Sequence, residues 1–418
     1  MNTDFDIDIT YDIQEQIVET ISLRDWQRKA KKFFFDNDCK ALFEVSTGSG
    51  KTIIAIDIIH ELLKKNNKLK VLIVVPKNVI LESTWYKELV DFGVPIQNIG
   101  VYYGDVKEYA QITLTNVQNF HKVPLELFNM ICLDEAHNCG TRRLLELLQH
   151  DFKYRLGLTA TLKRMDKKHY EILKIFNYNR FTYKPKEALE DGVLNPFIFY
   201  NITVTLDRQS RFLYDELTQQ LNAIFQAGGG FERIMRSTTP LKFKMLTLIN
   251  ERKKLVNNYR DKFLVAQQII KQFRTHKIIV FNQFNDQTSK LYWYLLDDEI
   301  ECRIVHSGVT KDNRDRALID FKNDKFNVLL TSKVLDEGYN LPKLDIAIIM
   351  AGDTTDKQTI QRMGRVLRKK DNQDSLLFQI YCRETIEENS ANERAKIFKS
   401  LASDYRDIEF VEGMQLQF

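Results

Sequence analysis

The stretch from Lys40 to Thr52 constrains the fold more than any other part of the chain. It is a short apolar run, then a Gly-Ser-Gly turn, then Lys51 at the start of a helix-like apolar pattern. Gly48 and Gly50 allow a tight turn whose backbone N–H groups converge on phosphate oxygens, and the helix N-terminus adds a positive dipole end. Lys51 is expected to reach the β and γ phosphates, and the Thr52 hydroxyl to bind Mg²⁺. The stretch therefore predicts a strand, a phosphate loop and a helix.

The loop differs from the common phosphate-loop pattern at one position. Val45 stands where the first glycine is usual, five residues before Gly50. A glycine turn that merely caps a helix is therefore the alternative interpretation, and the rest of the chain decides between the two.

Apolar runs recur along the chain in the manner of a parallel sheet buried on both faces. Helix-like stretches separate them, which predicts doubly wound α/β domains whose ligands lie at the carboxyl ends of the strands. We place strands at residues 70–76, 111–115, 130–134 and 154–161, and in a second series at 277–281, 301–305, 326–330 and 345–349.

Acidic and hydroxyl side chains follow two strands of the first series. Asp134 can hold Mg²⁺ directly or through water, and Glu135 can orient and deprotonate a water that attacks a phosphate. A solvated turn is the alternative for two acidic residues alone, but a phosphate loop upstream favours the hydrolytic interpretation. Thr159 and Thr161 end the next strand, where their hydroxyls can relay hydrogen bonds from the nucleotide site.

The second series has no phosphate loop and carries a basic segment instead. Residues 361–368 read Gln-Arg-Met-Gly-Arg-Val-Leu-Arg. In a helix, Arg365 and Arg368 share one face because they are three residues apart. Such a pair can act as arginine fingers at a nucleotide bound to another domain. A basic helix on the surface is the alternative.

Composition narrows the class of protein without identifying it. A chain of 418 residues exceeds one typical domain, and 44% hydrophobic with 28% charged residues is typical of globular domains. The net charge of +4 gives no bulk sign of a nucleic-acid partner, although a local groove can still be basic. The five cysteines are scattered, which favours reduced thiols over a zinc site or disulfides. The absence of a long apolar run and the acidic N-terminus predict a cytoplasmic protein without a membrane partner.

These features suggest how the chain is divided. We predict an N-terminal extension (1–20), a first α/β domain (21–185), a partly helical and basic connector (186–275), a second α/β domain (276–388) and a C-terminal tail (389–418). Alternating acidic and apolar residues at 3–10 predict a short edge strand. The basic residues between 233 and 254 form either a solvated helix face or a surface that tracks phosphates, and both interpretations stay open.

In order and spacing, these stretches resemble the motifs of the superfamily 2 helicases and translocases over about residues 20–385. The matching segments are 23–30 (the adenine-reading Q motif), 45–52 (I), 74–77 (Ia), 114–116 (Ib), 134–137 (II, Asp-Glu-Ala-His), 159–161 (III), 279–283 (IV), 330–340 (V) and 361–368 (VI). Segments 155–161 and 361–368 are similar to the group that contains the xeroderma pigmentosum B repair helicase, restriction-enzyme motors and phage branch-migration helicases. In that group Val45 is not unusual, whereas Ser332-Lys333 departs from the usual motif V.

The resemblance implies two RecA-like domains with ATP and Mg²⁺ between them, and it implies roles for individual residues. Gln27 has an amide that can donate to and accept from an adenine edge, although an exposed helix glutamine is the alternative. The implied catalytic residues are Lys51, Asp134, Glu135, Gln361, Arg365 and Arg368. Those for the nucleotide are Arg24, Gln27, Thr47, Gly48, Ser49, Gly50, Lys51, Thr52 and Gly338, with Thr52 and Asp134 for the metal. Those for nucleic acid are Pro76, Lys77, Thr115, Asn116, Ser307, Gly308 and Ser332, and those for coupling are His137, Thr159 and Thr161.

The implied activity is ATP hydrolysis coupled to movement on, or unwinding of, DNA. Single-stranded, forked or branched DNA in repair or recombination, including branch migration, is the implied substrate. Contacts to backbone phosphates predict binding that is independent of sequence and sensitive to salt. An RNA helicase and a non-hydrolysing nucleic-acid-binding module are the alternatives. A monomer is expected, and a phage origin with action in a host cytoplasm is compatible with the resemblance.

Overall fold

A computed structural model describes residues 22–46, 48–162, 164, 166–332, 344–350 and 374–418. The chain forms two compact units, with the main boundary between Lys184 and Pro185. Each unit is built on one largely parallel sheet with helices, which confirms the predicted fold class of two doubly wound α/β domains. Among the helices within these ranges, none is long and apolar enough to cross a bilayer.

The sheet of the first unit has the strand order β4-β3-β5-β2-β6-β7-β1-β8. Its strands are parallel except for the β3–β4 pair at one edge. They are β1 (Lys40–Val45), β2 (Val71–Val75), β3 (Ile99–Tyr103), β4 (Val106–Lys107), β5 (Ile112–Asn116), β6 (Met130–Leu133), β7 (Tyr154–Thr159) and β8 (Arg180–Tyr183). Every residue of β2, β5 and β6 is buried, which explains why β2 and β6 are apolar along their whole length.

Helices cover this sheet and supply its connections. They are α1 (Asp25–Asp36), α2 (Lys51–Lys65), α3 (Asn78–Ile80), a π-helical stretch (Leu81–Tyr86), α4 (Lys87–Asp91), α5 (Arg142–Leu147) and α6 (His169–Ile175). Short 3₁₀ turns lie at Ile96–Asn98, Phe120–Lys122, Leu125–Leu127 and Ala136–Cys139. The phosphate loop thus connects β1 to α2, as the sequence predicted.

The sheet of the second unit has the strand order β11-β12-β10-β13-β14-β9-β15. Its strands are β9 (Phe197–Val204), β10 (Ile278–Phe281), β11 (Cys302–Val305), β12 (Val328–Thr331), β13 (Ile346–Ile349), β14 (Ser375–Cys382) and β15 (Asp404–Phe410). Its described helices are α7 (Pro185–Glu190), α8 (Arg208–Gly228), α9 (Phe231–Arg236), α10 (Pro240–Asn257), α11 (Arg260–Gln272), α12 (Asn285–Leu296), α13 (Lys311–Lys322) and α14 (Ile386–Lys399).

The segment that we interpreted as a connector supplies central parts of the second unit. Strand β9 pairs with both β14 and β15, and residues of α11 lie in the main apolar core of this unit. Helices α8, α9 and α10 enclose a smaller apolar core of their own. The region predicted as a tail contributes most of α14 and all of β15. The predicted edge strand at 3–10 and the basic segment at 361–368 lie outside the described residues.

A buried ion pair joins α11 to α14. The Lys262 side chain is 0% exposed, and its ammonium group lies 2.7 Å from Glu387 Oε1 and 2.9 Å from Oε2. Glu387 Oε2 also accepts a hydrogen bond from the backbone N–H of Cys382, at 2.9 Å. Because both charges are removed from water, each depends on the other for compensation.

We expect the Lys262→Ala variant to destabilise the second unit by about 3–5 kcal/mol, because it leaves the Glu387 carboxylate buried and unpaired. Urea unfolding measures the loss when it is followed by tryptophan emission in a Trp26→Phe, Trp85→Phe background, which leaves only Trp293 of this unit. The double variant Lys262→Met with Glu387→Gln should recover much of it. A single variant as stable as the wild type would show that the ion pair does not hold α11 and α14 together.

Candidate active site

Two glycines give the phosphate loop its shape. Gly48 and Gly50 have φ angles of 83° and 95°, in the left-handed region where other residues are strained. Gly50 is the residue before α2, and the first turn of that helix contains no acidic residue. The positive end of the α2 dipole therefore lies at the loop without compensation from its own side chains.

The Gln27 side chain of α1 forms a hydrogen bond with this loop. The side chain is 2% exposed, and its amide nitrogen donates to the Gly50 carbonyl oxygen at 3.0 Å. Its amide oxygen accepts from the backbone N–H of Arg24 at 2.8 Å. A Cβ atom on Gly50 would lie 3.0 Å from the Gln27 amide nitrogen, so a larger residue would crowd this contact. The described contacts of Gln27 are thus with the loop and α1, and its contact with adenine stays a prediction.

Lys51 occupies the position expected of a phosphate-binding cation. Its side chain is 11% exposed, and its ammonium nitrogen lies 3.7 Å from Glu135 Oε1. Within the described residues, this buried nitrogen has no hydrogen-bond acceptor. An ammonium group without an acceptor is costly in a buried position, and phosphate oxygens would supply the missing acceptors.

Both oxygens of the Asp134 carboxylate are oriented at the end of β6. Oδ1 accepts from the backbone N–H of Glu135, and Oδ2 accepts from the indole N–H of Trp85, each at 2.9 Å. Glu135 itself has φ 48° and ψ 52°, a left-handed conformation that is costly for a residue with a side chain. Such conformations persist where the surrounding structure fixes them, and they cluster at active sites.

Burial and a neighbouring charge perturb Asp134. Removal from water raises the pKa of its carboxyl group, the nearby Glu135 carboxylate raises it further, and Lys51 and the Trp85 hydrogen bond oppose these effects. The resulting pKa is about 6. The site therefore concentrates negative charge that a divalent cation would neutralise.

Hydrogen bonds connect the predicted coupling residues. His137 Nδ1 lies 2.8 Å from the Thr159 hydroxyl and 3.3 Å from Glu135 Oε2. The Thr159 hydroxyl donates to the Thr161 carbonyl oxygen at 3.0 Å. The structure thus brings His137, Thr159 and Thr161 together beside the Glu135 carboxylate.

Sequence reasoning missed two side chains at this site. Trp85 comes from the π-helical stretch, 49 positions before Asp134, and no local signal marks that contact. Arg164 follows the Thr-Ala-Thr segment, donates to the His137 carbonyl oxygen and pairs with Asp166 at 2.8 Å. A Cβ atom on Gly140 would lie 2.9 Å from the Arg164 guanidinium carbon, so that position leaves room for the arginine.

The predicted nucleic-acid residues of the first unit divide into two kinds. Pro76 and Lys77 follow β2 and are partly exposed and exposed, respectively. Thr115 is fully buried and its hydroxyl donates to the Tyr102 carbonyl oxygen at 2.8 Å. The Thr115 hydroxyl is therefore used inside the sheet, and a contact of this residue with a polynucleotide stays a prediction.

Asn116 is also buried, and it acts between loops. Its amide nitrogen donates to the Asn78 side-chain oxygen, and its own oxygen accepts from the backbone N–H of Asn119 at 2.7 Å. These hydrogen bonds join the segment after β2 to the segment after β5, and a contact of Asn116 with a polynucleotide stays a prediction.

In the second unit, Asn285 brings the predicted contact residues together. Its amide nitrogen donates to the Ser307 hydroxyl at 3.1 Å, and its oxygen accepts from the Ser332 hydroxyl at 2.7 Å. Ser307 and Gly308 are exposed, whereas Ser332 is 5% exposed. Ser307 and Ser332 follow β11 and β12, which are neighbouring parallel strands, and Asn285 opens α12. Sequence reasoning did not select Asn285.

Several predicted residues lie outside the described residues. They are Thr47 of the phosphate loop, Gly338 of motif V, and Gln361, Arg365 and Arg368 of motif VI.

The described residues fit a magnesium–nucleotide complex. Two buried atoms beside the glycine loop, Lys51 Nζ and Glu135 Oε2, have no hydrogen-bond partner among the described residues. A bound magnesium nucleotide would supply partners for both. Carboxylate and hydroxyl oxygens are the ligands that Mg²⁺ prefers, and Asp134 and Thr52 supply them. These elements lie at the carboxyl ends of β1 and β6, where α/β proteins bind nucleotides.

Comparisons with known proteins agree with this arrangement. Residues 10–164 match the family model "Type III restriction enzyme, res subunit", and residues 261–370 match "Helicase conserved C-terminal domain". The DNA 3'-5' translocase XPB2 of Sulfurisphaera tokodaii is 28% identical over 88% of this chain and 83% of its own length. The DNA 3'-5' helicase XPB of Mycobacterium tuberculosis is 23% identical over 94% of this chain and 66% of its own length.

The chain is also similar to a viral protein in sequence and to a solved structure in fold. The putative helicase 22 of a Sulfolobus islandicus filamentous virus is 23% identical over 87% of this chain and 64% of its own length. This chain therefore spans about two thirds of the length of the mycobacterial and viral relatives. The Hef helicase domain of Pyrococcus furiosus has a TM-score of 0.62 at 17% identity and covers 89% of this chain. At that identity the structural match concerns the fold.

Two parallel-sheet units, a phosphate loop and an Asp-Glu-Ala-His strand end define a nucleic-acid-dependent ATPase of the helicase class. The chain resembles the superfamily 2 helicases, and within that superfamily the xeroderma pigmentosum B group.

The raised pKa of Asp134 predicts how pH affects stability. Because the folded state holds the proton more tightly than the unfolded chain does, ionised Asp134 costs stability above pH 6. That cost is removed as pH falls from about 6 to about 4. The Asp134→Asn variant should therefore melt at a higher temperature than the wild type at pH 7.5, and the difference should shrink at pH 4.5.

The opposite behaviour of Asp166 provides a control. Its hydrogen bond to Arg164 holds the pKa of that carboxyl group below its usual value, so its ionised form stabilises the fold at neutral pH. The Asp166→Asn variant should melt below the wild type at pH 7.5. If both variants shifted the melting temperature in the same direction at pH 7.5, the assigned cause of the Asp134 shift would be wrong.

Proposed function

We propose that this protein is an ATP-dependent DNA helicase or translocase. The observation that carries the proposal is the buried Lys51 ammonium group, which lies 3.7 Å from Glu135 at the carboxyl edge of the first sheet and lacks a hydrogen-bond acceptor among the described residues. The relatives named as DNA translocase and DNA helicases support DNA as the polynucleotide.

Different residues of the first unit would have different roles in ATP hydrolysis. The phosphate loop and Lys51 hold the β and γ phosphates, and Thr52 and Asp134 hold Mg²⁺, which supplies charge neutralisation at the phosphates. Glu135 takes a proton from the attacking water. The water oxygen bonds to the γ phosphorus as the bond from that phosphorus to the bridging oxygen breaks. The roles of Arg365 and Arg368 as arginine fingers rest on the family resemblance.

Contacts to polynucleotide would come from the segment after β2 and from the second-unit loops that Asn285 joins. Hydroxyl and backbone groups in these segments can donate hydrogen bonds to backbone phosphates. Such contacts do not distinguish one base sequence from another. Binding would then be independent of sequence and would weaken as salt is raised. We also propose that the protein acts on forked or branched DNA in repair or recombination. We propose further that it is a monomer and is located inside the cell. The family resemblance supports these points.

An RNA helicase is the second candidate. One structural neighbour, the Dbp5 protein of Saccharomyces cerevisiae bound to RNA and ADP BeF3, has a TM-score of 0.62 at 15% identity, which is a likeness of fold. Contacts to phosphates alone do not separate RNA from DNA, so the choice depends on substrate preference.

A hydrolysis assay with different polynucleotides tests the proposal. ATP turnover by the purified chain is measured at one salt concentration without nucleic acid and with single-stranded, duplex, forked or four-way DNA, or matched RNA. We expect DNA to stimulate turnover, with the largest effect from branched forms. Stimulation by RNA alone would favour the second candidate, and no turnover under any condition would refute an autonomous motor.

The Glu135→Gln variant tests the assignment of the general base. It should lower DNA-stimulated turnover by about 10²–10⁴-fold, the usual contribution of a positioned base, while ATP binding persists. The matched control is Glu126→Gln, because Glu126 is an exposed glutamate of the same unit away from the site. Turnover that survives in Glu135→Gln would assign the base to another group.

The hydrogen bonds among His137, Thr159 and Thr161 predict an uncoupled variant. Thr159→Val preserves shape but removes the hydroxyl that contacts His137 and Thr161. We expect ATP turnover within about threefold of the wild type, since the groups that touch the nucleotide remain, with strand displacement reduced at least about tenfold through the lost coupling.

A second buried threonine provides the control for that test. Thr113 lies in β5 of the same sheet, and its hydroxyl bonds to Ala110 at 3.2 Å. Strand displacement measured in Thr113→Val should match the wild type. Equal losses of displacement in the two variants would mean that burial of a valine, and not the relay, causes the effect.

A further inference from the structure

Trp85 forms a direct contact with the predicted metal-binding carboxylate. Its indole ring is fully buried, and its N–H group donates to Asp134 Oδ2 at 2.9 Å. The other carboxylate oxygen accepts from a backbone N–H group. Asp134 therefore depends on one side-chain donor from a different element for its orientation.

That donor lies in an unusual helix. The stretch from Leu81 to Tyr86 is π-helical and is flanked by α3 and α4. A π-helical turn accommodates an extra residue and is frequent at functional sites. The direction of the Trp85 side chain depends on this turn, since return to α-helical winding would rotate the residues that follow it.

The same helix is tied to the segments predicted to meet polynucleotide. It begins directly after Lys77, and the Asn78 side chain accepts a hydrogen bond from Asn116. Within the π-helical stretch, Glu82 accepts a hydrogen bond from the Tyr103 hydroxyl of β3. A movement of the segment after β2 would therefore be passed to Trp85 through a short, anchored helix.

We propose that Trp85 is a positioning residue that orients Asp134 for the magnesium–nucleotide complex and transmits polynucleotide binding at residues 76–78 to that carboxylate. This inference rests on the proposed function for the identity of both ligands. In this proposal Trp85 contacts neither the magnesium–nucleotide complex nor the polynucleotide, and it acts through Asp134.

The Trp85→Phe variant removes the donor and retains an aromatic ring. A hydrogen bond to a charged group contributes about 1.5–3 kcal/mol, which corresponds to about 10–150-fold in an equilibrium constant. We expect the Mg²⁺ concentration that half-saturates binding of a fluorescent, non-hydrolysable ATP analogue to rise at least about tenfold. Binding of the same analogue in EDTA should change less than about threefold, because the loop and Lys51 are untouched.

Tyr102→Phe is the matched control. Tyr102 is 8% exposed and lies in β3 of the same unit, and its hydroxyl donates to the Lys122 carbonyl oxygen at 3.4 Å. This variant also removes a buried aromatic donor and keeps the ring, and we expect the wild-type Mg²⁺ requirement. Equal Mg²⁺ requirements in Trp85→Phe and Tyr102→Phe would overturn the positioning role.

Tryptophan emission tests the transmission step separately. The chain has three tryptophans, so the double variant Trp26→Phe with Trp293→Phe leaves Trp85 as the single reporter. We expect its emission to change when single-stranded DNA is added without nucleotide, and the Lys77→Ala variant to reduce that change. Emission that responds to the magnesium–nucleotide complex but not to saturating DNA would overturn the transmission.

These readouts separate the failure of this inference from failure of the proposed function. Magnesium-dependent binding of the ATP analogue requires neither hydrolysis nor polynucleotide, so it tests the positioning role even if DNA fails to stimulate turnover. A wild-type chain with DNA-stimulated turnover, together with a Trp85→Phe variant that has the wild-type Mg²⁺ requirement, would leave the function standing and refute this role of Trp85.

Discussion

The fold of the first unit holds charged groups together in a place where water cannot fully solvate them. Lys51, Asp134 and Glu135 meet at the carboxyl edge of the sheet, and hydrogen bonds within the protein satisfy them only in part. The left-handed backbone at Glu135 adds a local cost. The buried strands β2, β5 and β6 fix these positions, so the packing of the sheet sustains an arrangement that is unfavourable without a ligand. Binding of a magnesium nucleotide would relieve that cost.

The sequence predicted the central strands because parallel strands buried on both faces are apolar along most of their length. Strands at the edges carry a weaker signal. In β15, most residues are exposed and several are charged, so its pattern does not differ from that of a loop. Strand β14 is buried but contains Gln379, whose amide bonds to Asn201 and Ala391 and accepts from Arg394. Those partners come from distant segments, and no local pattern shows that the polar group is satisfied.

The candidate site was predictable where its chemistry lies in consecutive residues. The phosphate loop, Asp134 and Glu135 are such cases, and the structure places them together. Contacts between distant segments were not predictable. One example is the hydrogen bond from the Trp85 indole N–H to Asp134. Another is Asn285, which forms hydrogen bonds with both Ser307 and Ser332. Thr115 is another example, because no local pattern shows that its hydroxyl donates to the Tyr102 carbonyl oxygen inside the sheet.

The order of strands in the second sheet has a consequence for how the chain folds. Strand β9 lies between β14 and β15, and its residue Asn201 bonds to Asp407, 206 positions later. The first unit is formed almost entirely by residues before 185 and can fold as soon as that part has left the ribosome. The second sheet must wait for its last strands, because β9 has neither neighbour until they are synthesised. Because these pairings join segments far apart in the sequence, we expect the second unit to fold more slowly than the first and the apolar residues of β9 to be open to aggregation during that interval.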